Sequence, residues 1–294
     1  VRRVLEYYVA DDGSAERFSW MSFKLKFWGV RGSIACPSPD HIAFGGNTSC
    51  LEVNAGGEQI IFDAGTGIRN LGYWNIRKGI TKATIVFSHT HWDHITGFPF
   101  FAPAFHPEHA FTLMAGHLKS QGGLYEVISG QMANPMFPVP IEALKSKLSF
   151  IDFDAGETFQ ISEKIRVRTA MLNHPDGATG YRVEFKGKSI CYVTDTEHIP
   201  GEPDENILDL IDGSDLVVYD ATYTEEEFPA KVGWGHSTWE EGVRLAQMAN
   251  VKSLAIFHHD PDHEDSFMEA LEIEARKRWG GAFVARENMR INLI

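Results

Sequence analysis

Six consecutive residues, His89-Thr90-His91-Trp92-Asp93-His94, place three imidazoles and one carboxylate in a single turn of chain. Neutral imidazole nitrogen and carboxylate oxygen are natural donors to divalent cations. The run follows Thr84-Ile85-Val86-Phe87-Ser88, which is apolar enough to be a buried strand. His89 and His91 lie two apart, so an extended chain points both to one side. Burying such a cluster without a shared partner is costly. Protonated neighbours repel, and unpaired polar groups lose their water. A divalent metal removes both penalties, so the run reads as a metal-binding turn.

One turn cannot complete two metal sites, and the second half of the chain offers further donors. Each follows a stretch with strand character: His174 in Leu172-Asn173-His174-Pro175, Asp195 in Asp195-Thr196, and His258 in His258-His259-Asp260-Pro261. Alone, each would read as a surface histidine or a turn-forming Asp. Taken in order with the first cluster, they read as ligands of the same site.

The elements that must position these donors are short strands between Gly-rich turns. Strands are expected at 23–28, 49–53, 58–62, 83–88, 148–151, 165–171, 180–185, 188–194, 215–219 and 252–257. Helices are expected after 65, near 94–101, near 119–132, and at 203–212, 237–249 and 264–278. In the fifth, Val243, Leu245, Ala246 and Met248 are apolar among charged residues, Ser237 or Thr238 is a natural N-cap, and Glu240 and Glu241 occupy the first turn. Two groups of strands with interspersed helices indicate a layered α/β or α+β fold. Residues 1–22 read as an extension of unknown role, since a start at Met21 would lose nothing recognisable, and 23–294 as one domain.

Composition narrows the class. Apolar content of 43% and charged content of 23% are ordinary for a soluble globular protein. No apolar run approaches the roughly 20 residues that span a bilayer, and the N-terminus lacks the apolar core of a signal peptide. Cys36, Cys50 and Cys191 form no CxxC pair, so neither a disulfide framework nor a thiolate zinc site is indicated. Each reads as a small buried apolar residue in a reduced, cytoplasmic chain. The net charge of −13, with no Lys/Arg-rich run, favours a small substrate over a polyanion.

The ordered set resembles the metallo-β-lactamase superfamily, whose His-x-His-x-Asp-His signature is matched at His89, His91, Asp93 and His94. Later His, Asp and His ligands are matched at His174, Asp195 and His258. Within the superfamily the chain looks most like the ribonuclease Z and cyclic-phosphodiesterase branch. That likeness rests on Gly45-Gly46-Asn47-Thr48-Ser49, Tyr192-Val193-Thr194-Asp195-Thr196, Val218-Tyr219-Asp220-Ala221-Thr222 and Gly235-His236-Ser237-Thr238. It implies an αββα four-layer sandwich and two divalent ions, zinc first, with manganese or iron as alternatives. His89, His91 and His174 would hold one ion, Asp93, His94 and His258 the other, and Asp195 would bridge them. Asp63 matches an early Asp that supports the site. The catalytic set is then His236, beside the metals, with Asp93 and with Asp220, which can orient His236.

What the resemblance implies for activity is hydrolysis of a small, perhaps cyclic, phosphodiester by a metal-bridging hydroxide. Lactone, ester or β-lactam hydrolysis on the same dinuclear site is the alternative, and a non-catalytic metal-binding or ligand-sensing protein a further one. Ribonuclease Z holds tRNA with a protruding basic arm, and no such insertion is recognisable here. Its lack and the acidity set tRNA aside as a substrate. Segment 102–147 instead could form a lid, a homodimer contact or ordinary packing. His259 and His263 stand equally as substrate contacts or as supporting residues. No membrane partner is indicated.

Overall fold

In β1 (Phe23–Gly29), Phe23, Leu25 and Phe27 point to one side and Trp28 to the other, as a period of two requires. In β2 (Cys50–Ala55), Leu51 and Val53 join the first side and Cys50 the second. Strands that are apolar on both faces belong inside a layered structure. The computed structural model describes residues 21–294; most of the expected N-terminal extension therefore lies outside the described residues.

Two seven-stranded sheets form the centre. The first runs β14 (Arg290–Asn292), β1, β2, β3 (Glu58–Phe62), β4 (Lys82–Phe87), β5 (Ala110–Ala115), β6 (Lys147–Asp152). The second runs β13 (Ala282–Val284), β12 (Leu254–Phe257), β11 (Leu216–Asp220), β10 (Lys188–Val193), β9 (Ala178–Phe185), β8 (Ile165–Leu172), β7 (Thr158–Ser162). The first sheet is antiparallel from β14 to β3 and parallel from β3 to β6, and the second is antiparallel from β7 to β10 and parallel from β10 to β13.

Phe27, Phe62, Val183 and Val218 meet in the core between the sheets. Outside the first sheet, α1 (Ile68–Lys78) and α3 (Leu124–Gln131) bury Ile68, Leu71, Leu124 and Ile128. The four-residue α2 (Trp92–Ile95) lies at that sheet's edge. Outside the second sheet, α4 (Glu205–Ile211), α5 (Trp239–Met248) and α6 (Asp265–Arg278) bury Ile207, Val243 and Met268. The layers are thus α, β, β, α, as the sequence implied. Of the two N-cap candidates for α5, it is Thr238 whose hydroxyl accepts from the Glu241 N–H. Among the described residues, no helix is long and apolar enough to cross a membrane.

Two expectations change. The stretch near 94–101 is not one helix: α2 gives way to short turns at Phe98–Phe100 and Ala102–Phe105. Pro99 and Pro103 lack the N–H that would continue a helix. In segment 102–147 an unexpected strand appears: β5 runs between β4 and β6 and buries Phe111, Leu113 and Ala115, so that part of the segment is ordinary packing, one of its three expected roles. The three-residue strands β13 and β14 and the edge strand β7 carried too little apolar signal to be read from sequence.

Two tyrosines tie the sheets together. Tyr181 on β9 donates to the Phe87 carbonyl on β4 at 2.6 Å, and Tyr192 on β10 donates to Asp63 just past β3 at 2.7 Å. Burial, with Asp63 alongside, raises the Tyr192 phenol well above its ordinary range, so it stays a donor. Replacing Tyr192 with Phe keeps the ring and removes a hydrogen bond to a charged acceptor, a loss of about 1.5–3 kcal/mol. Urea unfolding of Tyr192→Phe checks this; an unchanged midpoint would show that the link carries no stability.

Candidate metal centre

The site assembles where strand ends from both sheets converge. His89, His91, Asp93 and His94 follow β4, His174 follows β8, Asp195 follows β10, Asp220 ends β11 and His258 follows β12. Three of the residues after strands hold left-handed backbone: Asp63, Asp195 and His258 have φ of 58°, 56° and 62°. Such values are uncommon for non-glycine residues and turn each side chain sharply off its strand. Close packing fixes two glycines here. A Cβ on Gly32 would lie 2.4 Å from the His258 ring, and one on Gly235 would lie 2.4 Å from His174 Nδ1.

Three groups of donors lie close enough to hold a cation, the third being Asp195, Asp220, His236 and His258, and the donors named as ligands fall into the other two. His89, His91 and His174 form one, with His174 Nε2 3.0 Å from His91 Nδ1. Asp93, His94, Asp195 and His258 form the other, with His94 Nε2 3.3 Å from His258 Nε2. Asp195 lies between them: Oδ1 is 3.3 Å from both His94 Nε2 and His258 Nε2, and Oδ2 is 3.6 Å from His89 Nε2 and 3.7 Å from His174 Nε2. Every sequence-named donor is therefore brought together.

Whether these residues suit a cation is decided by their outer hydrogen bonds. Asp63 is completely buried and accepts from the Ser88 N–H at 2.7 Å, the Ser88 hydroxyl at 2.8 Å and Tyr192. It also lies 2.8 Å from His94 Nδ1, which places the proton there and leaves the Nε2 lone pair facing inward. The Ser88 hydroxyl, having given its proton to Asp63, accepts from His89 Nδ1 at 3.1 Å. His174 Nδ1 donates to the Gly235 carbonyl at 2.7 Å. The Thr222 hydroxyl donates to Asp220 at 2.8 Å and accepts from His258 Nδ1 at 3.0 Å. Four rings are thus anchored from behind with lone pairs converging, the arrangement of metal-ligating histidines. His89 Nε2 is buried with no hydrogen-bond partner. His91 Nδ1 and His174 Nε2 stand 3.0 Å apart, and His94 Nε2 and His258 Nε2 3.3 Å apart, so donor nitrogens crowd together at both groups. A divalent cation meets each of these demands, so the clusters fit a metal site.

The electrostatics agree. Burial, followed by the nearby His94, pushes His89 well below its ordinary range and keeps it neutral. Burial opposes protonation of His94 too, yet Asp93, Asp195 and Asp63 raise it well above that range. Asp93 and Asp195 stay ionised despite burial, because of His94 and His258 in particular. This centre demands positive charge.

His236 stands beside the second group, its ring 4.9 Å from that of His258. His236 Nδ1 is 3.1 Å from Asp220 Oδ2. Asp220 is completely buried and also accepts from the Thr196 and Thr222 backbone N–H groups. Burial disfavours the imidazolium, but Asp220, then Asp195 and Asp93, raise it to about 9.

Several contributors were not readable as such. Ser33 donates its backbone N–H to Asp93 at 2.8 Å, from a loop held by buried Arg31, which donates to the carbonyls of Gly45, Asp260 and His263. Glu197 accepts from Gly233 and Gly235 and so fixes the turn before His236. Arg-Gly-Ser after a strong strand and a Glu two past Asp195 were the available signals. His117 follows β5, the unrecognised strand, and lies 3.3 Å from Thr90. His259 and His263 are buried against the chain, at Ala285 O and Glu227 respectively, which gives them supporting contacts. Cys50 and Cys191 are buried as expected, while Cys36 is only half-buried; none is bonded to another.

Sandwich and strand-end centre together define a metallo-β-lactamase-type protein. The chain belongs to the family described as "Beta-lactamase superfamily domain", which matches residues 58–259. Among curated relatives, ribonuclease Z of Haloarcula marismortui is 22% identical over 91% of this chain and 96% of its own. Among solved structures, the metallo-β-lactamase fold protein YhfI of Bacillus subtilis superposes with a TM-score of 0.69 at 16% identity, covering 92% of this chain and 99% of that one. A diphosphatase from the PhnP family superposes with a TM-score of 0.66 at 18% identity, covering 92% of this chain and 97% of its own.

The first relative corrects an expectation. Acidity and a missing arm had set tRNA aside, yet a protein named ribonuclease Z aligns with nearly the whole chain. The physical fault lies in reading a total. Net charge sums the entire surface, whereas screening limits each exposed charge to about 8 Å at physiological salt, so distant acids do not set the potential at the centre.

Thr222 gives this site a test. Thr222→Val removes the acceptor that fixes the His258 tautomer while keeping its volume. Metal affinity, measured by chelator competition, is expected to fall about 10–100-fold. Unchanged affinity would mean that His258 needs no such support.

Proposed function

We propose that this chain is a dinuclear metal-dependent phosphodiesterase. His89, His91 and His174 would hold one divalent ion, and Asp93, His94 and His258 the other, with Asp195 shared between them. Zinc suits the nitrogen-rich set best, and manganese or iron fits the same donors. Bound there, such cations supply Lewis acidity and make water acidic enough to act as a nucleophile at neutral pH.

The observation that carries the reading is a proton donor beside the centre. Asp220 holds His236 at Nδ1, which leaves Nε2–H as the transferable proton. Raised to about 9, His236 is protonated at neutral pH. A phosphodiester's alkoxide leaving group needs such a proton as its bond to phosphorus breaks. The proton passes from His236 Nε2 to the departing oxygen, and the neutral ring remains hydrogen-bonded to Asp220 through Nδ1. Asp93 keeps its place through the Ser33 N–H. The name of the Haloarcula relative and the diphosphatase neighbour support phosphoryl chemistry. RNA and small phosphodiesters both remain within the class proposed.

Three measurements test this reading. A panel of bis(p-nitrophenyl) phosphate, a precursor tRNA, lactones and nitrocefin should show phosphodiester cleavage alone, abolished by chelator and restored by divalent metal. Exclusive lactone or nitrocefin hydrolysis would overturn it. His236→Ala should lower kcat about 10²–10⁴-fold at full metal content. The pH profile has a defined sign. His236 is raised to about 9 by the protein's own charges and lowered from there by bound cations, so its acid form is lost and kcat should fall as pH rises through a limb at or below that value. Asp220→Asn removes the largest influence raising it, so the alkaline limb should move to lower pH. A limb that stays put would assign the titration to another group.

A further inference from the structure

Trp28 and Trp239 are buried and Trp74 and Trp279 partly so, whereas Trp92 is 77% exposed and Trp234 is 61% exposed. These are the exposed tryptophans among the described residues, and both stand at the metal centre. Trp92 lies between His91 and Asp93, and Trp234 immediately precedes Gly235. A short path joins them: His91 Nδ1 is 3.0 Å from His174 Nε2, and His174 Nδ1 donates to the Gly235 carbonyl at 2.7 Å. Each tryptophan is thus the chain neighbour of a residue that forms or anchors the first donor group. Lys231 Nζ lies over one face of Trp234, 4.6 Å from the ring centre, and 5.3 Å from the ring centre of Tyr223, which leaves the other indole face for a ligand. Tyr223 in turn meets the His236 ring at 6.0 Å. Val232, on the loop of Trp234, adds exposed apolar surface.

Indole is the largest apolar side chain, and leaving it in water forgoes substantial burial. A fold that shelters its other described tryptophans leaves these two uncovered next in sequence to residues of the metal centre. A planar, π-rich ligand covers such a ring best. Nucleobases stack on aromatic side chains with little regard for sequence, because every base has a π-face. An ammonium alongside suits the phosphate that joins neighbouring nucleotides. Paired bases inside a duplex keep their faces to themselves, so the fit is to unpaired ones.

We infer that Trp92 and Trp234 are stacking platforms for unpaired bases flanking the scissile phosphodiester, with Lys231 serving the adjoining phosphate. This rests on the phosphodiesterase reading above and names its substrate: a single-stranded nucleotidyl ester, not an alkyl one.

The test uses the metal-loaded protein and two esters with the same leaving group, thymidine 5′-(p-nitrophenyl) phosphate and methyl p-nitrophenyl phosphate. The base-bearing ester should be preferred in kcat/KM by about tenfold or more. Trp92→Ala and Trp234→Ala should bring that ratio toward one, mainly through KM, and both positions are exposed enough for the fold to tolerate the change. A ratio that neither variant alters would overturn the proposal. Binding is read separately, by quenching of tryptophan fluorescence with a hydrolysis-resistant phosphorothioate oligonucleotide. Quenching that weakens in either variant supports the platforms even if neither ester is cleaved, in which case only the phosphodiesterase reading fails. Cleavage of both esters with no quenching would leave the activity standing, sink the platforms and point to a protein surface as what covers the two indoles.

Discussion

The buried Asp63 carboxylate is the interaction on which the rest depends. Removed from water, an ionised carboxylate needs hydrogen bonds to both oxygens. Asp63 obtains them from the Ser88 backbone and hydroxyl, from His94 Nδ1 and from Tyr192 across the sandwich. One group thereby joins three things. It links the two sheets, sets the turn after β4, and fixes which nitrogen of His94 faces inward. The Ser88 hydroxyl extends the same order to His89, since a hydroxyl that has donated to Asp63 can only accept there.

Imposing one tautomer on several rings is what separates this centre from a patch of histidines. The anchors come from different elements: a side chain after β3, a carbonyl in the loop before α5, and a hydroxyl after β11. One of the residues whose rings they anchor, His258, has its backbone in the left-handed conformation, held there by the packing around it. That conformation is unfavourable by itself. It persists because neighbours leave no alternative, as where Gly32 closes directly against the His258 ring.

This explains what was legible in the sequence and what was not. Donor types and their order after strands are local properties, so His89 through His94, His174, Asp195 and His258 could be named from sequence. The αββα architecture followed from the resemblance those residues carried. β5 stayed hidden because Ala110, Thr112 and Ala115 dilute its apolar run, and its loss concealed His117 and left lid, dimer contact and ordinary packing all open for the surrounding segment. The supporting contacts of Ser33, Thr222 and Glu197 are set by long-range packing, which no spacing rule encodes. The judgement on tRNA failed for the converse reason: a global total was used where only local charge acts.

One tension remains inside the centre, and its resolution shows why Asp220 is where it is. Cations at the two donor groups would repel a protonated His236, whose ring lies against that of His258. A general acid in that position needs a negative charge that the cations do not take up. Asp195 is placed between the donor groups and is committed to them. Asp220 sits one step back, held by the Thr196 and Thr222 N–H groups and the Thr222 hydroxyl. Those bonds hold its carboxylate in place without bringing another cation close. Through Thr222 it also reaches the back of His258. The same carboxylate therefore favours a proton on His236 and, by way of a hydroxyl, an inward-facing lone pair on His258. Two histidines in ring contact are thus assigned opposite roles, one to carry a proton and one to offer a lone pair, by a group that need touch neither metal nor substrate.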